Sequence, residues 1–195
     1  MQVIFLSDAK TILLDIVSWI FFHLSIGYWS STINIERFDP NFRLFQTMKW
    51  EDGGEIYNRI FKVKKWKKYI PSGAKLYKGA YQVKHIQEIT VDNLKIWIRE
   101  SCRSEYCHII MFLPCFLFFL WNSADVGWWM VTYAFLNNLV PIVMQRYNRP
   151  RAQRYLKILE TKLKKAEIEQ AQPLLKSGNE EIADRNLFDE NGLEK

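Results

Sequence analysis

The sequence predicts an all-α integral membrane protein with about three transmembrane helices, the amino terminus outside and the carboxyl terminus inside, a basic cytoplasmic loop and an amphipathic C-terminal helix. Three observations predict it. Apolar residues make up 49% of the 195-residue chain, yet the mean hydropathy is only −0.18, because apolar and charged residues occupy separate stretches. Three runs, residues 11–29, 106–121 and 128–144, carry almost no charge, and a helix spanning a bilayer needs about 20 apolar residues. The cations are segregated: 15 Lys/Arg lie in 30–105 and 11 from 145 onward, against Lys10 alone before the first run. Cytoplasmic segments attract such excess, so both large polar segments are expected inside, with residues 1–10 and the short connection 122–127 outside.

The first run is long enough to span by itself. No basic residue precedes Lys10 and no small-x-small cleavage pattern follows the run, so it reads as an uncleaved anchor. The second and third runs are slightly short but flanked by Trp121, Trp128 and Trp129, which suit the headgroup level. Together they predict a tight helical hairpin. A buried pair of soluble helices is the alternative, but residues 109–120 offer no polar face to water. Three Cys, two of them inside an apolar run, argue against a disulfide framework.

The cytoplasmic loop, residues 30–105, contains five Lys between 62 and 68 interleaved with Phe61, Trp66 and Tyr69. Next to a bilayer this composition predicts contact with anionic lipid rather than nucleic acid. Pro71 and Gly73 predict a break, and residues 78–86 a short irregular or extended piece. Thr90 reads as an N-cap with Asp92 in the first turn of a helix that nothing interrupts before Pro114. That helix carries Glu100, Arg103, Glu105 and His108 into the second span, with Glu105 and His108 one turn apart. Two readings stand: a salt-bridged collar that ends the span, or a catalytic cluster in which Glu105 orients His108 and raises its basicity. Asp15 and His23 read as packing groups or as lining a lipid-facing cavity rather than as catalytic residues, and Asn137 and Asn138 as interhelical hydrogen-bonding groups.

The third span leaves through Arg146, Asn148, Arg149, Pro150, Arg151 and Arg154. Pro150 predicts a break or redirection, with Asn148 shaping the turn. The Arg cluster is expected either to anchor the topology or to clamp a phosphate or carboxylate. Residues 145–171 then predict a basic amphipathic helix and 172–195 a mobile tail.

The order Asn58, Phe61, Val63, Lys65-Trp66-Lys67, Gly73, Tyr81, His85, Glu100-x-x-Arg103-x-Glu105-x-x-His108 and Gln145-Arg-Tyr-Asn-Arg-Pro-Arg151 resembles the glycosyl-4,4'-diaponeurosporenoate acyltransferase family. The resemblance covers roughly residues 50–159, and the Asn-Arg-Pro-Arg run is its most specific part. It implies a cell-membrane enzyme of staphyloxanthin-type carotenoid biosynthesis that esterifies the sugar of a glycosylated C30 carotenoid acid with a fatty acyl chain. Cys102 and Cys107 fall outside the pattern, which argues against an acyl-cysteine intermediate.

The residues also exclude neighbouring chemistries. No His-x-x-x-x-Asp acyltransferase box follows His23, His85 or His108, and three His are too few for a di-iron desaturase. No phosphate-cradling Gly loop or metal-ligand cluster is present, so neither cofactor nor metal is expected. The mechanism expected is direct attack of a sugar hydroxyl on a thioester donor, with His108 or His85 as base and Glu105 supporting His108. Arg103, Glu100, Arg146, Asn148, Arg149, Arg151, Trp66 and Tyr81 are the candidate substrate-binding residues. The expected partners are a fatty acyl thioester, a glycosylated carotenoid or related glycolipid, anionic lipids and other enzymes of the pathway. The alternative is a non-catalytic membrane scaffold that docks those enzymes.

Overall fold

A computed structural model describes residues 2–70 and 89–191, with side chains up to residue 170. Tyr81, His85 and the irregular piece expected at 78–86 lie outside the described residues. The chain divides into two units, Met1–Gln153 and Arg154–Lys195. Every described element is helical. Three helices are long and apolar enough to cross a membrane, Asp8–Thr32, Val91–Leu120 and Ala124–Gln170.

Helix α1, Asp8–Thr32, buries Asp15, Gly27 and Ser30 while Ile12, Leu13, Ile16, Val17, Ile20, Phe21 and Leu24 stay exposed. Polar and small residues inside with apolar residues outside is the reverse of a water-soluble helix, and is the arrangement hydrocarbon favours. Asp15 accepts from Trp121 Nε1 at 2.7 Å and Asn122 Nδ2 at 2.8 Å. It thereby ties α1 to the turn between the other two spans, a packing role. The last turn of α1 has no basic residue of its own. Arg103 supplies one, donating to the carbonyls of Ser31 at 3.2 Å and Ile33 at 3.5 Å, where helix-end acceptors lack partners.

The connection from α1 folds back over the other helices. It contains 3₁₀ turns at Ile35–Arg37 and Lys49–Gly54, then α2, Glu55–Phe61, α3, Val63–Trp66, and a final turn at Lys67–Tyr69. Asn58 organises the junction of the two short helices: its carbonyl accepts from Lys62 N at 3.0 Å and its side chain from Lys64 N at 3.1 Å. Tyr57 and Val63 then pack with Val143 and Tyr147, while Phe38 and Phe45 pack with Cys102.

Helix α4, Val91–Phe112, starts as expected, with the Thr90 side chain accepting from Asn93 N at 3.2 Å. It tightens into a 3₁₀ helix at Leu113–Leu120, where Pro114 stands at the entrance. Helix α5, Ala124–Asn191, follows after a short turn. Gly127 gives the Phe119 ring room there, because a Cβ would lie 2.5 Å from that ring and force it to shift.

The third exit differs from expectation. Pro150 does not break α5, and Asn148 lies within the helix rather than shaping a turn. The backbone assigned to α5 runs on to Asn191. A proline at position 150 leaves the carbonyl four residues earlier, that of Arg146, without its helical donor. Gly54, at φ +91°, packs against this stretch: a Cβ there would meet the Arg146 oxygen at 2.7 Å and the Tyr147 oxygen at 3.1 Å. The loop therefore packs against the segment that proline weakens.

Candidate active site

Glu100, Ser101, Arg103, Glu105 and His108 all ride on α4, and Asn138, Arg146, Asn148, Arg149 and Arg151 on α5. Of these, Glu105, Arg146 and Arg149 meet Glu51 from the loop in a closed ionic core. Arg149 is 2% exposed and Glu105 1%. Arg149 donates to a Glu105 carboxylate oxygen, to Ser101 Oγ at 2.9 Å, to the Ser101 carbonyl at 3.3 Å and to the Phe45 carbonyl at 2.9 Å. Arg146 donates to the other Glu105 oxygen at 2.7 Å, to Glu51 at 3.0 and 3.2 Å, and to the Leu44 carbonyl at 2.5 Å.

Glu51 completes the core. It is fully buried and accepts further from the Tyr57 hydroxyl and the Met48 amide. Burial raises its carboxyl, but the hydrogen bonds from Tyr57, Met48 and Arg146 outweigh this and hold it below the usual carboxylate range. Burial and the Glu51 carboxylate push the Tyr57 phenol upward, so it stays protonated as a donor.

This core revises the clamp expected of Arg146 and Arg149. Their guanidinium groups are consumed by Glu105, Glu51 and loop carbonyls. The surface dent lined by Phe45, Thr47, Arg146, Arg149 and Pro150 is shallow, not a substrate chamber. The expected support of His108 by Glu105 is also replaced, because both Glu105 oxygens face arginines. Charge explains the difference: at a buried position a carboxylate gains more from two guanidinium forks than from a neutral ring. Glu100 and Arg103 pair with each other at 2.7 Å, so they hold α4 to the end of α1. Trp66 donates to the Phe61 carbonyl at 2.7 Å and packs on the Tyr57 and Val63 cluster.

His108 instead pairs with α5. Its Nδ1 lies 3.0 Å from Asn138 Oδ1, and Asn138 Nδ2 donates to the Ala134 carbonyl at 2.8 Å. Because the amide nitrogen is committed to a carbonyl, its oxygen must face the ring, so His108 carries its proton on Nδ1. In the neutral ring the lone pair is then on Nε2, which has no hydrogen-bond partner among the described residues. A neutral histidine held in one tautomer is the arrangement a general base requires. His23 makes the companion contact, with Asn137 Nδ2 donating to its Nε2 at 3.2 Å and its Nδ1 donating to the Trp19 carbonyl at 2.8 Å. Both ring nitrogens of His23 are engaged, as a packing group's would be.

Arg151 and Asn148 stand apart from the ionic core. Arg151 lies over the Tyr147 ring at 4.6 Å, and Asn148 accepts from Lys67 Nζ at 3.0 Å. Two positions thus join these groups that the candidate residues did not include: Asn138 as partner of His108, and Glu51 as second acid of the core. The Asn137-Asn138 pair was a visible signal for the first. For the second, two arginines at a membrane entrance called for more than one acid.

The fold and this arrangement define a small helical membrane protein with a histidine–asparagine pair between its spans and a neutralised ionic core beside it. The chain belongs to the glycosyl-4,4'-diaponeurosporenoate acyltransferase family, whose model matches residues 41–158. Among its relatives is the glycosyl-4,4'-diaponeurosporenoate acyltransferase of Staphylococcus aureus strain MRSA252, 32% identical over 153 residues, 77% of this chain and 91% of the relative. The protein of the same name from strain Newman is 32% identical over 155 residues, 78% of this chain and 92% of the relative. No solved structure matches. The family is one of acyltransferases, and the chain is an enzyme of that class.

Proposed function

We propose that the protein transfers a fatty acyl group from a thioester donor to a sugar hydroxyl of a glycosylated carotenoid acid or related glycolipid. The observation that carries this reading is the His108–Asn138 pair: a base of fixed tautomer between apolar helices, where a polyene and an acyl chain already reside. Nε2 of His108 takes the hydroxyl proton as the sugar oxygen attacks the thioester carbonyl. The tetrahedral intermediate collapses with cleavage of the C–S bond, and the proton passes from Nε2 to the departing thiolate. The products are one ester and one free thiol. Confinement of both chains in the bilayer reduces the orientation lost on reaction.

In this reading Asn138 positions His108. Glu105, Arg146, Arg149 and Glu51 keep the α4–α5 entrance rigid, and Glu100 with Arg103 joins it to α1. His85 is the rival base and Tyr81 a rival substrate contact. The protein sits in the cell membrane with its amino terminus outside, its entrance cytoplasmic and the exposed lysines of 62–68 near anionic headgroups. The purified chain in bilayers, given an acyl-coenzyme A and a glycosylated carotenoid acid, is expected to form the ester. Failure with every thioester donor, together with capture of partner enzymes from the membrane, would favour the scaffold.

A further inference from the structure

Two cations gather on the face of α5 that carries Tyr147 and Asn148. Lys67, half-buried, donates to Asn148 Oδ1 at 3.0 Å and sits 5.3 Å from the centre of the Tyr147 ring. Arg151 lies over the same ring at 4.6 Å. Burial depresses the Lys67 amine, and the nearby charges of Arg151 and Lys64 depress it further. Against these two positive charges stands Glu55, half-buried and 3.4 Å from Arg151. Lys67 faces no carboxylate among the described residues. Tyr147 is fully buried and its hydroxyl has no partner among the described residues, a cost that a ligand oxygen or a water would remove. Like charges held around one ring repel each other, and an anion relieves the repulsion. The ionic core shows the contrast, because there two arginines are matched by two acids.

A thioester donor carries such an anion, because its two chemical forms, coenzyme A and a carrier protein's prosthetic arm, share the phosphate ester of the pantetheine arm. An Arg fork and a Lys point charge are the usual pair for holding one.

We propose that Lys67, Asn148 and Arg151 bind the phosphate ester of the donor's pantetheine arm. The proposal rests on the acyl-transfer reading and adds the donor site to it.

Binding, not turnover, tests it. Full-length protein in nanodiscs of phosphatidylcholine is titrated calorimetrically with coenzyme A and with pantetheine, which lacks the phosphate. Lys67→Gln and Arg151→Gln should each weaken coenzyme A binding about ten-fold or more, the scale of a lost hydrogen bond to a charged group. Pantetheine binding should change little, Lys62→Gln should match the wild type, and Arg151→Lys should recover only part of the loss. Thermal unfolding matching the wild type identifies the variants that remain folded. A second arm uses discs of phosphatidylcholine and phosphatidylglycerol in equal parts, with retained lipid read by native mass spectrometry. If both Gln variants bind coenzyme A normally but lose retained phosphatidylglycerol, the cations read lipid headgroups and the proposal is overturned. It is also overturned by a wild type that transfers acyl groups from coenzyme A yet binds it independently of Lys67 and Arg151. A wild type with binding that depends on both residues but no acyl transfer supports the phosphate site and sinks the acyl-transfer reading instead.

Discussion

Nδ1 of His108 lies 3.0 Å from Oδ1 of Asn138, and the Asn138 amide is held by donation to the Ala134 carbonyl at 2.8 Å. Loss of the asparagine leaves the base present but free to change tautomer or rotate. Asn138→Ala is therefore expected to lower kcat about ten-fold, the scale of one hydrogen bond, with KM nearly unchanged. Steady-state kinetics at several acceptor concentrations check this. A rise in KM at constant kcat would instead make Asn138 a substrate contact.

Glu105→Gln is expected to act on stability before chemistry. It removes one charge from a buried core in which Arg149 and Arg146 both depend on that carboxylate, and such a loss costs about 3–5 kcal/mol. Thermal unfolding and membrane abundance should fall, while turnover per folded molecule stays close to normal. Unchanged stability with lost turnover would return Glu105 to the catalytic group.

Gly54 tests the packing of the loop against α5. At φ +91° and with a virtual Cβ 2.7 Å from the Arg146 carbonyl, Gly54→Ala meets both backbone strain and a rigid obstacle. A destabilisation of at least about 1–3 kcal/mol follows from the strain alone. Gly53→Ala, one residue earlier at φ 57°, has strain without the recorded close approach and should cost less. The two unfolding temperatures give the comparison.

Acid should loosen the core through Glu51. Burial raises its carboxyl, but the bonds from Tyr57, Met48 and Arg146 leave it below the ordinary carboxylate range. A depressed folded value means stability that is complete above the unfolded value and lost as pH falls through the folded one. Unfolding temperature should therefore decline with acidification through and below the carboxylate range. Glu51→Gln should start lower at neutral pH and show a shallower decline.

The helices were legible because hydropathy is an additive property of local sequence: residues 11–29 fall inside α1, all but the last residue of 106–121 falls inside α4 with its 3₁₀ extension, and Thr90 caps α4 as its side chain predicts. The path after Pro150 was not, since proline's missing donor favours a break locally while Gly54, almost a hundred residues earlier, packs against the exposed carbonyl. Within the site, helical spacing placed Glu105 and His108 one turn apart, yet spacing along one helix does not say what the neighbouring helix offers. Arg146 and Arg149 claimed Glu105, and Asn138 took His108. The acid that balances the second arginine, Glu51, comes from a loop turn whose left-handed residues have no periodicity to read.

The central claim is that His108 is the base for acyl transfer, and single-turnover ester formation in reconstituted bilayers tests it most directly. His108→Ala is expected to slow the chemical step by about 10²- to 10⁴-fold, the usual range for general-base help, with donor binding and unfolding temperature unchanged. His85→Ala, measured in the same bilayers, should stay within a few-fold of wild type. Near-normal ester formation by His108→Ala would contradict the account, and a collapse confined to His85→Ala would move the base to the loop.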